Sequence, residues 1–140
     1  MIKIPNDAPV TRNGDAFLAA WRLSPSLVVS SGSGQLTIAM GDALLGEMVT
    51  AAGQWKAFDV FLSWGDVSGY APKVRADLAD FLRERPIVTG IHVLAGAPIV
   101  SMGLTALRLS TSVRVECYTE EIPFLGALRR ARNITASGLR

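Results

Sequence analysis

Residues 86–107 contain no Asp, Glu, Lys or Arg, and Arg85 and Arg108 close the two ends of the run. An uncharged stretch this long is a membrane span, the centre of a buried core or a partner surface. A spanning helix needs about 20 apolar residues. Here Pro86, Gly90, Gly96, Pro98 and Gly103 interrupt the run, and Gly96-Ala97-Pro98 in its middle favours a turn over a helix. Before that turn, Ile87-Val88 and Ile91–Leu94 are largely β-branched and suit a strand. After it, Pro98 fits the first turn of a helix, where its missing N–H costs nothing. The run therefore divides into buried strand, tight turn and apolar helix, and no membrane span is expected. The N-terminal Met-Ile-Lys-Ile-Pro-Asn-Asp lacks the apolar stretch of a secretory signal.

A chain of 140 residues suits one domain and buries most of its apolar surface without disulfides or metal. It is 49% hydrophobic and only 19% charged, which argues against disorder and leaves apolar surface for a partner. The net charge of +2 is too small to imply a nucleic-acid partner. Arg129, Arg130 and Arg132 read as cations favoured at a helix C-terminus. Cys117 is the single cysteine, so no intramolecular disulfide forms, and a cytoplasmic location is expected.

Residues 1–15 read as an irregular lead-in, 16–132 as the domain and 133–140 as a frayed tail. Phe17–Leu23 and Leu27–Ser31, separated by Ser24-Pro25-Ser26, fit a hairpin, although Ala19 and Ala20 also suit a short helix. Gly32-Ser33-Gly34 ends the second strand. A helix follows between Thr37 and Ala52, with Ile38, Leu45, Met48, Val49 and Ala52 on its apolar face. Thr37 or Asp42 caps it and Gly53 stops it. Phe58–Trp64 is a strand, and Gly65–Gly69 a turn-rich loop. Val74, Leu78, Phe81 and Leu82 mark a helix from about Ala71 to Arg85. Val88–Ala95 is a strand, Pro98–Leu109 a helix, Val113–Tyr118 a strand with Cys117 on its inward phase, and Glu120–Arg132 a last helix. Strands alternating with helices predict an α/β domain with a mostly parallel sheet of four to five strands, an N-terminal hairpin and about four helices.

Catalytic motifs come close and fail. Gly32-Ser33-Gly34-Gln35-Leu36-Thr37 has Thr37 where a dinucleotide-binding turn needs Gly or Ala, and no acidic residue closes the next strand. No Gly-Lys-Ser/Thr triplet exists for a phosphate-cradling loop. Around Ser68, Asp66 and Tyr70 occupy the positions where a nucleophile elbow needs glycines. The lone His92, within an apolar strand, reads as a core or interface residue and not a general base. One histidine and one cysteine cannot complete a closed zinc set, and Cys117 reads as a small buried hydrophobe. No cofactor, no metal and no catalytic residue is expected.

Three segments carry a family resemblance. Leu27-Val28-Val29-Ser30-Ser31-Gly32 precedes a helix as an early STAS strand does. Asp66-Val67-Ser68-Gly69-Tyr70 looks like the Asp-Ser-Ser-Gly-Leu loop of the anti-sigma-factor antagonists. Ile91-His92-Val93-Leu94 followed by Ala97–Leu104 looks like a strand–helix signature of the STAS-like families. From about Phe17 to Arg132 the layout resembles the STAS superfamily, and more narrowly the STAS-like proteins related to bacterial anti-sigma-factor antagonists. The resemblance implies a non-enzymatic signalling domain that binds a kinase or another regulatory protein. Asp66, Ser68 and Gly69 match the loop, with Val67 standing where the family carries its phosphorylated serine, and Tyr70 completes the expected partner-binding loop. Ile99, Met102 and Leu104 form the expected apolar interface, open to a partner or to a homodimer. The alternative implied by the same comparison is a lipid or other apolar-ligand carrier of CRAL-TRIO type.

Overall fold

The computed structural model describes residues 2–23 and 26–136. Eleven elements follow one another: β1 (Val10–Asn13), β2 (Ala16–Leu23), β3 (Leu27–Leu36), α1 (Ile38–Gln54), β4 (Phe58–Tyr70), α2 (Pro72–Glu84), β5 (Val88–Ala95), α3 (Pro98–Thr105), α4 (Leu107–Thr111), β6 (Val115–Tyr118) and α5 (Glu121–Ala136). The six strands lie side by side in chain order. β1, β2 and β3 are antiparallel neighbours, whereas β3, β4, β5 and β6 run parallel.

The sheet is therefore mixed and larger than the mostly parallel sheet of four to five strands expected from the sequence. The extra strand is β1, inside the segment read as an irregular lead-in. Its residues are nearly all exposed, so it has no apolar alternation to announce it. Pairing with β2 makes it a strand. The hairpin expected over Phe17–Ser31 forms as β2 and β3, while Ser24 and Pro25 of its turn lie outside the described residues. At the other end α5 continues to Ala136, through the first half of the expected frayed tail, and residues 137–140 lie outside the described residues.

Strand alternation sorts the core into two layers. Val28, Val60, Leu62, Ile91 and Val93 face α1, α2, α3 and α4. Ala19, Trp21, Val29, Phe61 and Leu94 face α5, which answers with Phe124, Ala127, Leu128 and Ala131. The segment 86–107 is thereby explained: β5 is buried on both faces and α3 turns Val100 and Leu104 inward. No helix among the described residues is long and apolar enough to cross a membrane.

The α1 helix is where expected, with Thr37 as its cap: the Thr37 hydroxyl accepts from the Met40 amide at 3.3 Å. Its buried stripe differs. Met40, Gly41, Leu44, Met48 and Ala51 face the core, while Ile38 and Val49 remain 46% and 44% exposed. The helix carries apolar side chains widely enough to present either stripe. Contacts with other elements choose between them. A Cβ on Gly41 would lie 2.9 Å from Val74 Cγ2, so α1 and α2 touch at a residue without a side chain. On the other side Arg22 of β2 donates to Glu47 at 3.1 Å and to Gln54 at 2.8 Å.

The expected helix 98–109 divides at Ala106 into α3 and the short α4. Cys117 also departs from expectation: it is exposed, with Sγ 3.2 Å from Thr105 Oγ1. Val113 and Val115 are covered, but β6 is an edge strand, and its next inward-phase residue emerges beside the end of α3.

Candidate functional site

The segment Gly65–Tyr70, expected as a loop, is the second half of the 13-residue strand β4. Glycine, aspartate and serine in quick succession signal a turn when read locally. Here β3 also runs on past Ser31, and its continuation pairs with the segment: Ser33 with Asp66, Gly34 with Val67, Gln35 with Gly69 and Leu36 with Tyr70. The register slips between Gly34 and Gln35, so Ser68 is the extra residue of a bulge. β5 pairs with β4 only as far as Trp64 and Ala95. Beyond that point β4 has β3 on one side and α3 on the other.

A groove of about 640 Å³ opens there. Ser68, Gly69 and Tyr70 form one wall, Ile99, Met102 and Gly103 of α3 the other, and Gln35 and Arg75 the ends. Ile99 and Met102 are 69% and 71% exposed. They lie three residues apart and share the outer helix face. Glycines set the closeness of the walls. The Tyr70 hydroxyl occupies the space a side chain at Gly103 would need, and Gln35 Oε1 lies 2.7 Å from where a Gly69 Cβ would stand.

Three of the four loop residues expected from the sequence thus meet two of the three expected interface residues. Leu104 is not among them: at 1% exposure it belongs to the core, on the opposite side of α3. Asp66 lies outside the groove and lines a separate cavity with Ser31, Ser63 and Thr119. Nothing in the sequence singles out Gln35 or Arg75. Arg75 sits on the charged side of an amphipathic helix, and its spacing does not distinguish it from a solvated cation.

Burial pushes the Tyr70 phenol above its ordinary value of 10.0, and the Arg75 guanidinium pulls it partly back. Tyr118 is raised as well, by burial first and then by the Glu116 carboxylate that accepts from its hydroxyl at 3.3 Å. An acid whose pKa rises on folding keeps its proton longer in the native state. The linked stability is complete below pH 10 and declines as pH rises through the folded values. A native phenolate titration should therefore lie above that of the unfolded chain, and Tyr70→Phe should remove one of the two shifted steps. Coincident native and unfolded curves would contradict this.

His92 is 8% exposed, as expected for a core histidine. Its ring stacks on Phe61 with centroids 4.2 Å apart and Nδ1 lies 3.4 Å from the Tyr118 hydroxyl. Nε2 faces buried Asp59 at 3.8 Å, and the Thr89 hydroxyl donates to that same carboxylate. This polar cluster lies in the α5 layer, away from the groove that Ser68 lines.

The topology has a counterpart among solved structures. An uncharacterised protein of the DUF3478 family with a SpoIIAA-like fold, from Shewanella loihica PV-4, superposes with a TM-score of 0.57. The match covers 86% of this chain and 91% of that one at 12% identity. The chain has a SpoIIAA-like fold. This is the fold of STAS domains and anti-sigma-factor antagonists, so the resemblance carried by three short segments extends to the arrangement of the whole domain. No protein-family model matches the sequence, and no curated protein matches it. The SpoIIAA-like fold is typically non-enzymatic.

Proposed function

We propose that this chain is a non-enzymatic regulatory or adaptor domain that docks a protein partner in the groove between β4 and α3. The observation that carries the reading is the convergence of Ser68, Gly69 and Tyr70 with the exposed Ile99 and Met102 on one concavity. Exposed apolar side chains beside a polar rim are the usual composition of a protein-binding surface. Arg75 adds one positive charge at the groove, which favours a partner segment with an apolar face and an acidic residue. Ser68 is exposed at the bulge. A phosphate on it would add nearly two negative charges to the same surface and change which partner fits.

A photo-cross-linking residue placed at position 102, and separately at Leu109, tests this in the native cell. Leu109 is 90% exposed but lies outside the groove. The expected result is a discrete adduct from position 102, none from position 109, and a weaker adduct when Arg75→Glu is added. Equal adducts from both positions, or none from position 102, would remove the reading. An adduct of twice the chain's own mass would replace the partner with a second copy.

The groove's size and its apolar wall with one cation also suit an amphipathic anion, which keeps the carrier reading in view. Organic extraction of the purified protein followed by mass spectrometry decides it: a stoichiometric acyl compound favours the carrier, and an empty extract the adaptor.

A further inference from the structure

Another cavity, about 320 Å³, lies along the middle of β3 and β4 and at the carboxyl end of β5, on the face covered by α5. Strand alternation explains why it is open. Val29, Phe61 and His92 form one layer across the sheet. One pleat further on, the same rows carry Ser31, Ser63 and Leu94. Two hydroxymethyl groups thus stand where the layer below has an isopropyl group and a ring. Gly65 and Gly96 add no bulk, and α5 begins only at Glu121, on the rim.

Ser31 is 5% exposed, and its hydroxyl makes no hydrogen bond among the described residues. A buried hydroxyl left without a partner is costly, so a group entering the cavity is the partner it lacks. The exposed Asp66 stands at the same cavity, and its carboxylate also makes no ion pair or hydrogen bond among the described residues. Glu121 lies in the first turn of α5, where the helix dipole favours its charge. Among the described residues no Lys, Arg or His lines the cavity, while Phe17 and Leu94 supply apolar wall.

We infer that this cavity binds a small primary amine carrying a compact apolar group. The ammonium pairs with Asp66 and donates to serine hydroxyl oxygens, which suits its three donors. The apolar body packs against Phe17 and Leu94. An anion would meet the Asp66 carboxylate.

An amide-resolved NMR titration with phenethylamine tests the site, with phenethyl alcohol as the neutral counterpart and phenylacetate as the charge-reversed one. The expected result is saturable shifts at Ser31, Ser63 and Thr119, with Ser68 and Met102 unmoved, so the outcome is separable from the groove reading. The amine should bind about tenfold tighter than the alcohol, the scale of one charge-assisted hydrogen bond, and phenylacetate should not bind. Asp66→Asn should bring the amine down to the alcohol's affinity. Because Asp66 is exposed, the variant should keep the native spectrum. Ser63→Val should weaken binding of both by narrowing the cavity and removing a hydroxyl. Equal binding of amine and alcohol, an unchanged amine affinity in Asp66→Asn, or no shift around the cavity, as for a site that holds only water, would overturn the inference.

Discussion

Trp64→Ala should lower the unfolding free energy by about 3–5 kcal/mol, the usual range for deleting a large buried aromatic side chain. Trp64 is fully buried among the residues facing α1, α2 and α3. It is also the last residue of β4 to pair with β5, opposite Ala95. The vacated space would open where β4 parts from β5, at the root of the groove. The indole Nε1 donates to Ser30 Oγ at 3.2 Å, and Ser30 is itself fully buried. Trp64→Phe keeps one aromatic ring but removes the donor and part of the indole's bulk, so it should cost less, about 1–3 kcal/mol. Urea unfolding followed by far-UV circular dichroism measures both. A cost below about 1 kcal/mol for Trp64→Ala would mean that the residue is not the anchor its burial indicates.

Gly34→Ala should be the most damaging glycine substitution in the sheet. Gly34 has φ +79°, a left-handed conformation, and a Cβ there would lie 2.9 Å from Ala16 Cβ and 3.1 Å from Ala16 Cα. The conformational term is about 1–2 kcal/mol. Overpacking against β2 adds about 1–3 kcal/mol, because the nearest atoms belong to a strand and not to the end of a flexible side chain. Gly14→Ala separates the two terms. Gly14 has φ +61° in the turn between β1 and β2, with no described residue within 4 Å of where a Cβ would stand, so only the conformational cost applies. Urea unfolding should rank Gly34→Ala well above Gly14→Ala, and equal costs would show that the β2 contact yields easily. Hydrogen exchange should show the loss of protection centred on the β2–β3 end of the sheet, next to the register slip that presents Ser68.

Local chemistry makes part of this arrangement readable. Val74, Leu78, Phe81 and Leu82 repeat at helical spacing, and all four are buried in α2. Pro72 and Pro98 stand in the first turns of their helices. The strand–turn–helix division of the uncharged segment 86–107 corresponds to β5 and α3, and His92 takes a packed position on β5. Each follows from backbone preference or side-chain period within a short window.

Where local patterns mislead, a distant segment makes the decision. Gly65–Gly69 carries turn chemistry, yet β3 supplies hydrogen-bonding partners along it and makes it strand. Val10–Asn13 has no apolar period, and β2 makes it a strand. The spacing in α1 places Met48, Leu45 and Ala52 in or against the core but also takes in Ile38 and Val49, which are exposed because Gly41 meets Val74 of another helix and turns the stripe. Cys117 keeps the inward phase of its strand but lies at a sheet edge, where phase alone no longer implies cover.

The sequence by itself determined that this chain is an α/β domain, where most of its helices and central strands fall, and that the uncharged segment belongs to strand and helix and not to a membrane helix. Those properties depend on neighbours a few positions away. Only the tertiary structure decided that Ser68, Tyr70, Arg75, Ile99 and Met102 share one groove, that Leu104 does not, and that Asp66 stands with Ser31 and Ser63 at another cavity. Both concavities form between elements far apart in the chain. Their shapes depend on the register of β3 against β4 and on where β5 and α5 stop or start, which no local period encodes.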